Sequence, residues 1–208
     1  MVVRISVGET CKHVEVPIPS PKEDEILLKV EAASLNPIDW KIQEGVLCWI
    51  TRGRPTALQV LKSLGAKFDG TGRPYNILIT AALGGVGLFA VQLANFHVTA
   101  TCGRRNLNLV ASLGADEVLD YKSLEGKTLK SPSGKSYDFV INCVEAKKHL
   151  KAFMLTPNKE DLEFMVEILV KGGRVKTLID SSYSLSKAQE AWSKSIGGHA
   201  TGKIIVEM

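Results

Sequence analysis

The residues whose types and spacing suggest chemistry lie in one stretch. Ala81-Ala82-Leu83-Gly84-Gly85-Val86-Gly87 is followed further along by Arg104-Arg105-Asn106. Within the first run, Gly85-x-Gly87-x-x-Ala90 fits the dinucleotide fingerprint, between an apolar β-rich run and a helix-like segment. Gly84, Gly85, Val86 and Gly87 would make a turn with few side chains to obstruct it. The pyrophosphate of a ligand could then approach free backbone N–H groups where a helix begins. The same residues also suit a turn that only lets a strand and a helix pack closely, and the motif alone does not choose between the two.

The second run bears on that choice. An NAD site places an acid about 20 residues on, for the ribose 2′-hydroxyl, whereas an NADP site places cations there for the 2′-phosphate. No Asp or Glu stands between Gly84 and Asp116, and Arg104 and Arg105 occupy the expected place. Two guanidiniums with bidentate geometry point to NADPH. Cations are mildly unfavourable at a helix start, which itself argues for an anionic ligand there. The missing acid also counts against an S-adenosylmethionine methyltransferase. Elsewhere the sequence offers little chemistry. Cys11, Cys48, Cys102 and Cys143 are dispersed with no CxxC pair, and His13, His97, His149 and His199 form no triad or metal pattern, so no metal is expected.

The elements that must position these residues fall into two textures. Over the first fifty residues, β-rich runs at 2–7, 13–18 and 25–33 alternate with proline punctuation, which predicts antiparallel sheet. From Asn76 on, apolar runs alternate with helical segments, which predicts parallel βαβ units and an α/β fold. Strands are expected at 76–82, 98–102, 117–121 and 137–144, and helices at 86–95 and 106–113. The stretch 122–136 reads as an exposed excursion. Further on, a basic helix is expected over 147–153, an amphipathic helix over 161–170, a short strand over 175–179, a serine-capped helix over 186–195 and a last strand over 203–207.

Composition sets the outer bounds. With 208 residues, 45% hydrophobic and 23% charged, the chain has enough apolar material for a substantial core. A net charge of +4, scattered along the chain, argues against nucleic acid as a partner. The opening residues MVVRISVGE have neither a secretory nor a transit-peptide pattern, so no removable address is expected, and dispersed thiols suit an intracellular compartment.

Several further motifs carry a resemblance: Asn36-Pro37-Ile38-Asp39-Trp40-Lys41, Thr99-Ala100-Thr101-Cys102-Gly103, the run Ser112 to Tyr121, and the closing His199-Ala200-Thr201-Gly202-Lys203-Ile204-Ile205-Val206. Together with the glycine loop, and in the same order, these resemble the zinc-free medium-chain dehydrogenase/reductase family, in particular its quinone oxidoreductases. The resemblance implies a Rossmann-type doubly wound sheet over 55–171 and a remnant of a GroES-like β domain over 1–54. It also implies a return segment over 172–208 that packs with the remnant. Much of the GroES-like domain is missing between Lys41 and Pro55, and a sheet strand after Cys143 looks absent as well.

By the same resemblance, Gly84, Gly85, Val86 and Gly87 would hold the pyrophosphate and Arg104, Arg105, Asn106 and Tyr121 the 2′-phosphate. Asn142 and Cys143 would face the nicotinamide ribose. Asn36 and Lys41 would serve the catalytic side, Asn36 holding the nicotinamide or its ribose and Lys41 donating to the substrate oxygen. Lys203 is either a cofactor contact or an ordinary strand-edge lysine. The implied activity is NADPH-dependent hydride transfer to a quinone or an α,β-unsaturated carbonyl. The alternative is a non-catalytic remnant that binds NADPH or dimerises. A homodimer, peripheral membrane association and a chloroplast envelope address are further implications of the resemblance, with the cytoplasm as the other address.

Overall fold

The computed structural model describes residues 2–4, 12–14, 17–37, 39–40, 53–68, 71, 75–144, 156, 158–167, 172–173 and 175–208. The chain divides into two compact units, one made of Met1–Cys48 with Leu178–Met208 and the other of Trp49–Thr177. The expected helix over 147–153 lies outside the described residues.

The larger unit is built on a parallel sheet of β4 (Asn76–Ile79), β5 (His97–Cys102), β6 (Glu117–Asp120) and β7 (Phe139–Ile141), in the order β6-β5-β4-β7. Ile77, Leu78 and Ile79 are all buried, so β4 is covered on both faces, as its unbroken apolar run requires. Helix α1 (Gly53–Ser63) turns Ala57, Leu58 and Leu61 inward, one face of a helical period. Helix α2 (Gly87–Leu93) crosses from β4 to β5 and buries Leu88, Phe89, Ala90 and Val91. Short helix α3 (Leu107–Ser112) leads into β6. This is the α/β, Rossmann-type arrangement that the sequence pattern leads one to expect.

The stretch 122–136 is more ordered than its composition suggests. It contains helix α4 (Leu124–Thr128), capped by the Ser123 hydroxyl, which accepts from the Gly126 N–H at 3.0 Å. Gly126 packs so tightly that a Cβ there would lie 1.8 Å from the Asp120 carbonyl oxygen. Beyond it Ser131 is buried and donates to Glu117 at 2.6 Å.

Helix α5 (Lys159–Val166) is tied to α1 through Asp161. That buried carboxylate accepts from Gln59 and Asn158, each at 2.7 Å, and pairs with Lys62. Burial pushes the Asp161 carboxyl up, and the donors from Lys62, Gln59 and Asn158 more than reverse this, leaving it below the usual carboxylate range.

In the smaller unit, β1 (Val2–Arg4) and β2 (Lys12–Val14) pair antiparallel. A second sheet has the order β3-β9-β8, from β3 (Ala32–Leu35), β8 (Ile179–Ser184) and β9 (Lys203–Glu207). Helix α6 (Ala188–Ile196) packs on this sheet, and Leu185, Ala191, Ile204 and Val206 form its core.

Three expectations are corrected here. The strand placed at 175–179 is β8 instead, starting at Ile179. No strand forms over 25–31, and pairing begins at Ala32. The cap of α6 is Lys187, with no side-chain capping bond; Ser186 instead shares a hydroxyl hydrogen bond with Ser184 at 2.8 Å. Among the described residues, no helix is long and apolar enough to cross a membrane.

Candidate cofactor site

Because β4, β5, β6 and β7 run parallel, their carboxyl ends share one edge of the sheet, and the segments leaving those ends carry most of the residues singled out above. Gly84, Gly85, Val86 and Gly87 follow β4, while Arg104, Arg105 and Asn106 form a 3-10 turn directly after β5. Tyr121 follows β6, and Asn142 and Cys143 follow β7. This edge, at the reversal of strand order, is where open α/β sheets place their ligands.

The turn after β4 has a defined local cause. Ala81 adopts a left-handed conformation with φ of 48°, held by its N–H donating to the Thr101 hydroxyl at 3.2 Å. Ala82 N–H donates to the Thr101 carbonyl at 2.9 Å. The chain then folds back so closely that a Cβ on Gly87 would lie 2.3 Å from the Ala81 carbonyl oxygen, and one on Gly84 3.3 Å. Among the described residues, the backbone N–H groups of Gly85, Val86 and Gly87 make no hydrogen bond.

The other strand ends are bound into the same edge. The Thr80 hydroxyl donates to Asn142 Oδ1 at 2.7 Å and accepts from the Cys143 N–H at 2.9 Å, linking β4 to β7. Tyr121 N–H donates to the Cys102 carbonyl at 3.1 Å, linking β6 to β5. The half-exposed Tyr121 ring lies beside Gly103, where a Cβ would stand 3.6 Å from its Cε1, and Lys122 Nζ sits 5.7 Å from the ring centre. Arg104 and Arg105 are exposed.

An acid also stands nearby, on the neighbouring strand end: Asp120 is in register with Cys102, and its Oδ1 accepts from the Lys122 N–H at 3.0 Å. Burial, then the Asp120 charge, pushes the Cys102 thiol up to about 11, and burial pushes Cys143 up to about 12. Both thiols are therefore protonated near neutrality and unsuited to nucleophilic work.

Asn36 belongs to the other unit, just after β3. Its side chain is fixed from both ends: Lys203 Nζ donates to Oδ1 at 2.5 Å and Nδ2 donates to the Ser34 carbonyl at 3.2 Å. Asp39 Oδ2 accepts from the Asn36 backbone N–H at 2.7 Å. Lys41 lies outside the described residues. Thr80 and Thr101 are positions that the sequence reading passes over. The only hint is a threonine close to the carboxyl end of each strand, Thr80 just after β4 and Thr101 next to last in β5. Among the described residues, no three His, Cys, Asp or Glu side chains are placed to hold a metal ion.

A four-stranded parallel sheet with a glycine turn, exposed arginines and a tyrosine at its ligand edge defines a dinucleotide-binding type of α/β protein. Residues 146–206 match a family model described as a zinc-binding dehydrogenase. The chain is 41% identical to the chloroplast envelope quinone oxidoreductase homologue of Arabidopsis thaliana, over 94% of this chain and 93% of that protein. The chain is therefore a member of the medium-chain dehydrogenase/reductase family, within its quinone oxidoreductase homologues.

That alignment runs over 308 positions against a chain of 208 residues, so at least 100 of its positions have no counterpart here. Among solved structures, the quinone oxidoreductase of Coxiella burnetii superposes with a TM-score of 0.80 at 21% identity, covering 95% of each chain. That of Thermus thermophilus, solved also with NADPH, gives 0.69 at 18% identity over 99% of each. These two likenesses show a shared fold.

Proposed function

We propose that this chain is an NADPH-dependent oxidoreductase that passes hydride to a quinone or an α,β-unsaturated carbonyl. The observation that carries the reading is the ligand edge of the sheet. There a turn closed to any Cβ at Gly87 leaves backbone N–H groups without a partner among the described residues, and two exposed arginines follow the next strand end. A pyrophosphate fits the first feature and a 2′-phosphate the second. The nicotinamide group, when bound, supplies the hydride.

The chain's own residues bind and orient. Gly85, Val86 and Gly87 donate to the pyrophosphate. Arg104 and Arg105 clamp the 2′-phosphate with Asn106 and Tyr121 beside it, and Asn142 and Cys143 border the ribose. Asn36, its amide orientation fixed by Lys203, and Lys41 are assigned to the reacting end, where Lys41 donates to the oxygen that gains negative charge. Likeness to a chloroplast protein supports that organelle as the location, with peripheral attachment to its envelope.

A second reading is favoured by one observation. At least 100 internal positions of the Arabidopsis relative are missing here, and hydride transfer needs donor and acceptor held in contact. On that reading the chain binds NADPH without turnover.

Titration with NADPH and NADH, followed by nicotinamide fluorescence, tests the shared part of both readings. Arg104→Ala with Arg105→Ala is expected to weaken NADPH at least about tenfold and leave NADH within about twofold. Equal weakening of both cofactors would remove the 2′-phosphate assignment. Turnover of an enone or quinone then separates the catalytic reading from the binding one.

A further inference from the structure

Residues 25–30, Glu-Ile-Leu-Leu-Lys-Val, have the composition of a strand but no strand partner among the described residues. The segment is exposed throughout, with Ile26 at 82% and Leu28 at 71%, and Leu27 and Val30 are also open to solvent. No backbone group from Ile26 to Val30 is hydrogen-bonded among the described residues. It runs directly into β3, an edge strand of its sheet, and the last contact with the β9 side is the Met208 N–H donating to the Glu31 carbonyl at 2.9 Å. An apolar, unpaired continuation of an edge strand is a template for β-addition.

We propose that this segment pairs antiparallel with the same segment of a second copy of this chain, in a register centred on Leu27. The argument is charge complementarity. In that register Glu25 of each copy faces Lys29 of the other, Ile26 faces Leu28, and Leu27 faces Leu27. Residues 25, 27 and 29 share one face and 26, 28 and 30 the other.

On one side, centring between Leu27 and Leu28 sets Lys29 against Ile26, and centring on Leu28 sets Glu25 against Glu31. On the other, centring between Ile26 and Leu27 pairs Asp24 with Lys29 but sets Glu25 against Leu28, and centring on Ile26 pairs Glu23 with Lys29 but sets Glu25 against Leu27 and Asp24 against Leu28. Of these five registers, only the one centred on Leu27 pairs Lys29 with an acid while keeping Ile26, Leu27 and Leu28 against apolar partners. Even the favoured register stops at residue 24, because Glu23 would meet Glu31. The interface is therefore a short strand pair, and the dimer is weak and reversible.

Sedimentation velocity of the purified chain from low to high micromolar concentration is expected to show a monomer–dimer equilibrium. Glu25→Lys alone and Lys29→Glu alone are each expected to raise the dimer Kd about tenfold, by setting like charges opposite one another. The double exchange Glu25→Lys with Lys29→Glu is expected to return the Kd to within about threefold of the parent. Register is read separately: on oxidation Leu27→Cys crosslinks to a covalent dimer, whereas Ile26→Cys and the parent do not.

Since the changed side chains are exposed, circular dichroism melts of the variants should match the parent, which separates loss of pairing from loss of folding. A chain that stays monomeric throughout overturns the proposal. So does association insensitive to charge reversal, equal crosslinking at positions 26 and 27, or association that needs a longer relative as partner. None of these outcomes depends on cofactor binding.

Discussion

At the scale of single residues, glycines of the same loop differ sharply in what they tolerate. A methyl on Gly87 would meet the Ala81 carbonyl at 2.3 Å and Ala82 Cα at 2.9 Å, both backbone atoms that cannot step aside, whereas Gly84 has 3.3 Å to the same carbonyl. Gly87→Ala is therefore expected to lower stability by about 2–4 kcal/mol and abolish NADPH binding, and Gly84→Ala to cost less than about 1 kcal/mol. Denaturant melts of both variants check this, and similar losses at the two positions would refute the close-approach argument.

Glu117 makes a second residue-scale case. Burial pushes its carboxyl up, but hydrogen bonds from Ser131, Ser133 and Thr99, with His97 Nε2 3.5 Å away, bring it down to about 2. A folded-state pKa below the unfolded value of 4.5 means the stabilisation is complete above pH 4.5 and is lost as the pH falls toward 2. It amounts to roughly 3 kcal/mol. Glu117→Gln should remove most of it at neutral pH and flatten the acid limb of the stability profile. An unchanged acid limb would mean that another carboxylate sets it.

At the scale of elements, legibility followed the source of the order. The inner strands β4 and β5 are readable because each is a run buried on both faces, whereas the outer strands β6 and β7 are less covered. β9 was legible over 203–207 as a β-branched run in which Ile204 and Val206 turn toward a core. The cofactor loop was legible from glycine spacing. What could not be read rests on long-range partners. α4 exists because Gly126 fits against Asp120 and Ser131 reaches Glu117, contacts that no local pattern announces.

Segments without regular structure are held in the same way. Gln59 pairs its amide with the backbone of Thr156, donating at 2.6 Å and accepting at 3.1 Å, and Gln92 does so with Lys176 at 3.0 and 2.7 Å. A glutamine side chain thus substitutes for a strand neighbour, which explains why 175–178 is ordered yet not in the sheet. Gln92→Ala should destabilise by about 1–2 kcal/mol and speed hydrogen exchange at the Lys176 amide while leaving β4 amides protected. Unchanged exchange at Lys176 would show that its order has another origin.

At the scale of the whole molecule, each of the two units has a core of its own. One is built from β4 and β5 with α1 and α2, the other from Leu185, Ala191, Ile204 and Val206. All the residues assigned to the pyrophosphate and 2′-phosphate lie within Trp49–Thr177, whereas Asn36 and Lys203 lie in the other unit. Calorimetry of the full chain is thus expected to resolve two transitions, since separate cores need not melt together.

Saturating NADPH should raise the transition of the unit holding the glycine loop, by about 2.7 kcal/mol at a hundredfold excess over Kd, because a ligand stabilises only the unit that binds it. Arg104→Ala with Arg105→Ala should cancel most of that shift, measured against the same variant without cofactor. If NADPH raised both transitions equally, the assignment of its phosphate groups to one unit alone would fail. If a single transition moved as one, the molecule would fold as one cooperative body, and the phosphate-binding half could not act as an independent binding module.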